Sequence, residues 1–175
     1  LGIIEEELDL SSLMLQEKQR TWLREYKYIK NSRSQQIIIR GELYSQLKDL
    51  TQEVGVTLNA VLQYLWHKVL NFYSGSKQTV VGTTISGRNI PVDDIEQSVG
   101  LYINTLPLVI DHSKYRTVIE VIKVLQDDIN ELNSRSETNL ASLQKEGKRL
   151  FDSLFVYENY PAPIEEERGD GHLRM

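Results

Sequence analysis

Cysteine is absent from the 175-residue sequence. Its absence excludes disulfides, thiolate metal ligands and a cysteine nucleophile, and it fits a reducing compartment. No apolar run approaches the roughly 20 residues that a membrane-spanning helix needs. The first eight residues are acidic, whereas a secretory signal begins with basic residues. We therefore expect a cytoplasmic protein that does not enter a membrane.

Positive charge and histidine are also scarce. The chain has 20 Lys and Arg against 25 Asp and Glu, a net charge of −5, and only 3 histidines. Because nucleic-acid-binding domains normally carry a basic surplus, we expect no nucleic-acid partner. No His-x-x-x-His pair occurs, so we expect no metal site. Hydrophobic residues make up 40% and charged residues 26%, which is typical of a globular domain and excludes global disorder.

The periodicity of the apolar residues alternates along the chain. It predicts helices over 11–29, 41–54, 58–74, 117–135 and 140–145, and strands over 35–39, 78–85, 101–110 and 151–157. Thr57 is the expected N-cap of the third helix, and Gly55 and Gly75 are expected to end the helices before them. This alternation predicts an α/β fold with mixed α+β layers. Residues 161–175, rich in Pro, Gly and Glu, are predicted to form an irregular tail.

The helix over 58–74 has the strongest apolar pattern. One stripe of eight large apolar residues predicts its buried face: Leu58, Val61, Leu62, Leu65, Trp66, Val69, Leu70 and Tyr73. His67 lies beside this stripe and is predicted to be half-exposed.

Few residues suggest chemistry by themselves. Asp111, His112 and Ser113 are the residue types of a hydrolase triad, but adjacent residues cannot all point at one site. The pair Asp127 and Asp128 is interpreted as part of a solvated helix face, with no burial that would raise a pKa. Neither a dinucleotide-binding nor a P-loop glycine motif occurs. Arg88 follows a predicted strand, where it fits either a fixed ion pair or an ordinary exposed loop arginine.

Several motifs in order resemble the condensation domain of nonribosomal peptide synthetases. The two most specific are VVGTTISGR over 80–88 and VGLYINTLPL over 99–108. LFDSLFVYENYP over 150–161, NLASLQ over 139–144, VTLNAVLQ over 56–63 and YSG over 73–75 also resemble it. These matches extend from about residue 43 to residue 161.

The resemblance implies the chloramphenicol-acetyltransferase-like fold, in which two lobes of sheet and helix face each other across a tunnel. It also implies amide-bond formation in secondary-metabolite synthesis. A donor thioester and an acceptor amine would arrive on the phosphopantetheine arms of peptidyl or acyl carrier domains. The arm would tether the substrate, and this chain would bind no cofactor directly.

The resemblance is partial. The family's His-His-x-x-x-Asp-Gly motif does not occur, since no two histidines are adjacent. We expect residues 1–160 to be a partial condensation domain, the start and middle of its second lobe, followed by the tail over 161–175. No catalytic residue is expected in this chain, and the chain alone is predicted to be inactive.

Four residues match family positions at the active site or the lobe interface. Arg88 matches the arginine that pairs with the aspartate of the missing motif. Asn104 matches an asparagine lining the active-site channel, and Gly100 and Thr105 complete its strand motif. From its chemistry alone, Asn104 fits equally well a residue that only satisfies backbone groups.

Two functions remain open from the sequence. The first is a fragment of an amide-forming condensation domain. The alternative is a noncatalytic interaction module, or a truncated remnant, that binds a carrier domain or a partner lobe. In both cases the missing first lobe is an expected partner, and a lobe without it is expected to self-associate through its exposed apolar face.

Overall fold

The computed structural model describes residues 32–86, 94, 100, 102–144 and 150–158. Its helices are α1 (Gly41–Val54), α2 (Leu58–Ser74), α3 (Val118–Ser134) and α4 (Leu140–Leu143), and its strands are β1 (Gln78–Ser86), β2 (Ile103–Asp111) and β3 (Leu154–Phe155). The predicted mixture of helices and strands is confirmed. The predicted helix over 11–29 and the predicted tail over 161–175 lie outside the described residues. Within the described part of the chain, no helix is long and apolar enough to cross a membrane.

The three strands form one mixed sheet with the order β2-β1-β3. β1 and β2 are antiparallel, from Gln78 opposite Asp111 to Ser86 opposite Ile103. β3 runs parallel to β1, with Leu154 opposite Gly82. As the central strand, β1 is buried on both faces, which explains its nearly continuous run of Val, Thr and Ile.

Helices α2 and α3 pack with the sheet around the main core. The buried members of this core are Ala60, Val61, Tyr64, Ile85, Leu106, Leu108, Ile110, Val121, Ile122, Leu125, Ile129 and Leu132. Each helix starts at a capping threonine: Thr57 accepts a hydrogen bond from the Ala60 amide, and Thr117 accepts one from the Glu120 amide. α1 and α2 end at Gly55 and Gly75 in left-handed conformation, as the sequence predicts.

The predicted strand over 35–39 is wrong. Residues 32–40 have no regular secondary structure, and Ile37 is 90% exposed. A run of β-branched residues favours a strand only where a neighbouring strand supplies hydrogen bonds and packing. No described strand pairs with this segment. The strand predicted over 151–157 is confirmed only at Leu154–Phe155.

The predicted buried face of α2 is wrong over much of its length. The buried residues are Ala60, Val61, Gln63, Tyr64, His67 and Leu70. Leu65, Trp66, Val69 and Tyr73 of the predicted stripe are instead 38–63% exposed. Large apolar residues lie on several sides of this helix, so hydrophobic spacing alone does not select the side that packs. The packed side carries Gln63 and His67 because β1 supplies hydroxyl partners for both.

Candidate functional site

The antiparallel pairing of β1 and β2 brings the two most specific sequence motifs to one end of the sheet. Ile85 lies opposite Asn104, and Thr84 lies opposite Thr105. The connection between the strands leaves from Ser86 and returns to Ile103, so the chain preceding β2 lies at the same end as the chain following β1. Arg88, in that connection, lies outside the described residues.

Asn104 is held by hydrogen bonds to the backbone. Its Nδ2 donates to the carbonyl oxygens of Ser136 and Thr138, both at 2.7 Å. Its Oδ1 accepts from the amide of Thr105 at 2.7 Å. Asparagine suits this position because its side chain has two N–H donors and an acceptor oxygen. Asn104 therefore ties the start of β2 to the segment between α3 and α4.

The other two residues of the β2 motif have different surroundings. Thr105, the residue that follows Asn104 in β2, is half-buried. Gly100 is exposed, and a Cβ built on it would lie 3.1 Å from the nearest atom of the Tyr102 ring. This close approach favours glycine at position 100 without assigning it a chemical role.

A second close approach joins β1 to the chain leading into β3. A Cβ on Gly82 would lie 2.3 Å from an atom of the Phe151 ring, so only glycine fits there without movement. The Gly82 amide donates to the Ser153 carbonyl at 2.8 Å, and Trp66 Nε1 donates to Ser153 Oγ at 2.7 Å. The LFDSLF motif is thus fixed to both the central strand and α2.

Two histidines, the buried His67 and the half-buried His112, share the hydroxyl of the buried Thr79. His67 Nδ1 lies 2.7 Å from Thr79 Oγ1, and the same oxygen lies 2.8 Å from His112 Nε2. His67 is fully buried, so the predicted half-exposed position is wrong. Burial, reinforced by the neighbouring His112, lowers the pKa of His67 to about 3. Burial and the charge of Lys68 lower the pKa of His112, against an opposing effect of Asp111.

A sequence signal for this cluster exists. Gln63 and His67 are four residues apart on an otherwise apolar helix, so they share one face. Thr79 and Thr83 share one face of the following strand. The structure pairs the two sets, with Thr83 Oγ1 donating to Gln63 Oε1 at 2.8 Å.

The sequence predicts that Asp111, His112 and Ser113 do not form a catalytic triad, and the structure agrees. The Ser113 hydroxyl donates to Asp111 Oδ1 at 2.6 Å, while the His112 ring points to Thr79. The hydrogen bonds from Ser113, followed by the ion pair with Lys114 at 3.2 Å, lower the pKa of Asp111. This carboxylate closes the turn after β2.

The acidic pair on α3 is only partly a solvated face. Asp127 is exposed, but Asp128 is half-buried, and this burial raises the pKa of its carboxyl group, with smaller contributions from Glu131 and Asp127. The expectation that neither carboxyl is perturbed is therefore wrong for Asp128. In the described ranges, no group of three or more His, Asp or Glu side chains is placed to hold a metal ion.

A cavity of about 360 Å³ lies between the start of α2 and α3. Its lining is mostly polar and uncharged: Thr57, Leu58, Asn59, Gln126, Ile129, Asn130, Asn133 and Tyr157. Gln126 Oε1 accepts from both the amide and the hydroxyl of Thr57, at 2.8 and 2.7 Å. These contacts join the two helices, and the lining contains no carboxylate or imidazole for acid–base chemistry.

Comparison with known proteins gives consistent results along the whole chain. The family model described as Condensation domain matches residues 2–172. An N-(5-amino-5-carboxypentanoyl)-L-cysteinyl-D-valine synthase of Amycolatopsis lactamdurans is 41% identical over 98% of this chain, and one of Penicillium chrysogenum is 42% identical over 90%. Bacitracin synthase 3 of Bacillus licheniformis is 34% identical over 90%. The chain spans only 5%, 4% and 2% of these three relatives, respectively.

Solved structures give the same fold. The first condensation domain of the calcium-dependent antibiotic synthetase superposes with a TM-score of 0.52 at 18% identity, over 63% of this chain and 25% of that one. The condensation domain of a Monacolin K polyketide synthase superposes with a TM-score of 0.55 at 15% identity, over 93% of this chain and 36% of that one. The predicted fold class is thereby confirmed.

Proposed function

The chain belongs to the condensation domain family, and on this premise we propose that it forms part of a domain that joins two carrier-tethered substrates through an amide bond. The observation that carries the proposal is the family match over residues 2–172, together with the placement of the β1 and β2 motifs at one end of the sheet. We further propose that residues 1–160 belong to the second lobe of that domain and that residues 161–175 form an irregular tail.

The proposed reaction is acyl transfer from sulfur to nitrogen. The amine of the acceptor attacks the thioester carbonyl of the donor. A C–N bond forms, the C–S bond breaks, and the proton lost by the amine ends on the departing thiol. Both substrates would be held by phosphopantetheine arms of carrier domains, which are substrates of the domain and not cofactors of this chain.

This chain would contribute positioning. No His-His-x-x-x-Asp-Gly occurs in the 175 residues, so we expect turnover only where the chain is completed by a lobe that carries this motif. Arg88 would form an ion pair with the aspartate of that motif across the lobe interface, since the guanidinium is suited to a carboxylate partner.

Asn104 would act on the channel wall through the backbone. Two of its hydrogen bonds join β2 to the Ser136 and Thr138 carbonyls, and the third is accepted from the amide of Thr105 in β2 itself. These bonds would hold the wall at the end of the sheet where the motifs meet. Gly100 and Thr105 would shape the same end. This role is positional, because the hydrogen bonds of the Asn104 side chain are directed to the protein backbone.

The names of two relatives suggest a substrate class. They describe a product in which a 5-amino-5-carboxypentanoyl group, a cysteine and a valine are joined in sequence. Because this chain is 41% identical to one of these relatives over 98% of its length, we propose aminoacyl or short peptidyl thioesters of this kind as substrates.

The alternative function is a noncatalytic module that binds a carrier domain or a partner lobe. The observation that favours it is the exposed apolar side of α2, where Phe72 is 80% and Tyr73 63% exposed. A surface of this kind is typical of an interaction site. The same surface would promote self-association of the chain in isolation.

A reconstitution experiment separates the two functions. The complete domain containing this chain would be mixed with one carrier domain loaded with an aminoacyl donor and another loaded with an acceptor, and amide product would be measured by mass spectrometry. We expect product from the complete domain and none from the 175-residue chain. Carrier binding without product from the complete domain would reject amide formation and favour the interaction module.

Arg88 offers a matched test. Arg88→Ala in the complete domain is expected to lower product formation at least about tenfold, a loss of about 1.4 kcal/mol, because the proposed ion pair is removed. Arg116→Ala, at an exposed arginine outside both motifs, serves as the control and is expected to leave the rate unchanged. Equal rates for the two variants would exclude the proposed role of Arg88.

A further inference from the structure

The cluster of His67, Thr79 and His112 joins three elements. His67 lies on α2, Thr79 is the second residue of β1, and His112 directly follows β2. The cluster lies at the end of the β1–β2 pair opposite the connection that contains Arg88. The backbone amide of His112 donates to the Lys77 carbonyl at 2.8 Å, which holds His112 against the start of β1.

Within the described residues, the Thr79 hydroxyl is bonded to the two imidazoles. Its single proton has a partner only when it donates to one of them, and the oxygen then accepts from the other. His67 Nε2 is buried and has no hydrogen-bond partner among the described residues. Buried N–H groups without an acceptor are rarer in proteins than unpaired acceptors, so the proton of His67 belongs on Nδ1. His67 Nδ1–H then donates to Thr79 Oγ1, and the Thr79 hydroxyl donates to His112 Nε2.

A proton added to His112 is incompatible with this arrangement. In the imidazolium both ring nitrogens are donors, so Nε2 no longer accepts from Thr79. Thr79 is fully buried, and its hydroxyl lies between the two imidazole rings. The hydroxyl proton regains a partner by turning to His67 Nδ1. The proton of His67 must then move to Nε2, where the described residues offer no acceptor.

We propose that His67, Thr79 and His112 form a proton-sensitive relay, in which protonation of His112 reverses both hydrogen bonds and leaves a donor of His67 unpaired between α2 and β1. The packing of α2 on the sheet is thereby coupled to the charge of His112. The charged side chains that act on His112 are Lys68, from α2, and Asp111, from the end of β2. The charge that acts on His67 is that of His112 itself. By reciprocity, any partner that loosens α2 from β1 raises the proton affinity of His112.

The proposal is tested by NMR of the full chain with ¹⁵N-labelled histidine, in a His172→Ala background that leaves two histidine signals. The ring nitrogen shifts distinguish N–H from unprotonated nitrogen. At about pH 7.5, above the ordinary histidine pKa, we expect the proton of His67 on Nδ1 and the proton of His112 also on Nδ1. As the pH falls through the midpoint of His112, we expect His67 to change to the Nε2–H form without becoming charged.

Variants show whether protonation of His112 acts on His67 through the Thr79 hydroxyl. Lys68→Gln removes a neighbouring positive charge, so the His112 midpoint is expected to rise, and the change in His67 should move with it. Thr79→Val is expected to abolish the response of His67 at the His112 midpoint, whereas Thr79→Ser, which keeps the hydroxyl, should retain it. If Thr79→Val does not fold, the proposal is still tested by the wild type, Lys68→Gln and Thr79→Ser. The proposal is overturned if wild-type His67 carries its proton on Nε2 at the starting pH, or keeps one form through the His112 titration.

Discussion

The contact between Gly82 and Phe151 gives the most direct structural prediction. Gly82 lies in the middle of the central strand, and a Cβ at this position would lie 2.3, 2.6 and 2.7 Å from three carbons of the Phe151 ring. Real Cβ contacts are about 3.5–4.0 Å. Gly82→Ala therefore requires the ring to move by more than about 1 Å. Because the Gly82 amide is bonded to the Ser153 carbonyl, the backbone that carries the ring resists this movement.

The expected cost follows from measured overpacking of protein cores. Inserting one methyl group into a well-packed site costs about 1–3 kcal/mol. With a urea dependence of about 2 kcal/mol per molar for a domain of this size, the midpoint of urea unfolding should fall by roughly 1 M. Equilibrium unfolding followed by tryptophan fluorescence and by circular dichroism measures this shift.

Two further variants isolate the cause. Phe151→Leu in the Gly82→Ala background removes the ring and is expected to recover part of the lost stability, which a double-mutant cycle quantifies. Gly100→Ala adds the same methyl group at an exposed position, where the nearest ring atom would lie at 3.1 Å instead of 2.3 Å, so it serves as the comparison and is expected to cost less than Gly82→Ala. Wild-type stability of Gly82→Ala, or a Gly82→Ala cost that is independent of Phe151, would refute the reasoning.

Two further predictions concern stability. The pKa of His67 is about 3 in the folded chain and about 6.5 when unfolded, so below pH 6.5 the unfolded chain binds a proton that the folded chain does not. The contribution of neutral His67 to the free energy of unfolding is therefore fully present above about pH 6.5. It is lost progressively towards about pH 3, by roughly 2 kcal/mol at about pH 5. Urea unfolding at neutral pH and at about pH 5 measures it. His67→Leu should flatten the profile, and an equally steep profile in that variant would contradict the assignment to His67. Asn104→Asp replaces two donors by a carboxylate facing the Ser136 and Thr138 carbonyls. It should cost roughly 2–3 kcal/mol in urea unfolding, more than Asn104→Ala, and a variant as stable as wild type would show that these bonds do not hold β2.

Predictions from the sequence were reliable where a residue type strongly prefers one local position in a helix. Thr57 and Thr117 were expected at helix starts and are N-caps, and Gly55 and Gly75 end helices in left-handed conformation. A capping hydroxyl and a left-handed glycine depend on residues only a few positions away, so the sequence contains nearly all the information they need.

Signals that depend on a distant partner were less reliable. The isoleucines of 37–39 resemble a strand, but no described strand pairs with them. Asn104 was equally compatible with lining a channel and with satisfying backbone groups. Two of its three backbone hydrogen bonds depend on the turn after α3, 32 and 34 residues away in sequence. The ion pair expected of Arg88 remains a prediction.

The sequence by itself determined the family, the order of the described helices and strands from residue 41 onward, and the ends of α1 and α2, because motifs and caps are short-range properties. Only the tertiary structure decided which side of α2 is buried. Both sides carry enough large apolar residues to drive packing, so the apolar surface did not distinguish them. The buried side carries Gln63 and His67, which need hydrogen-bond partners when they are buried, and Thr79 and Thr83 supply such partners from β1.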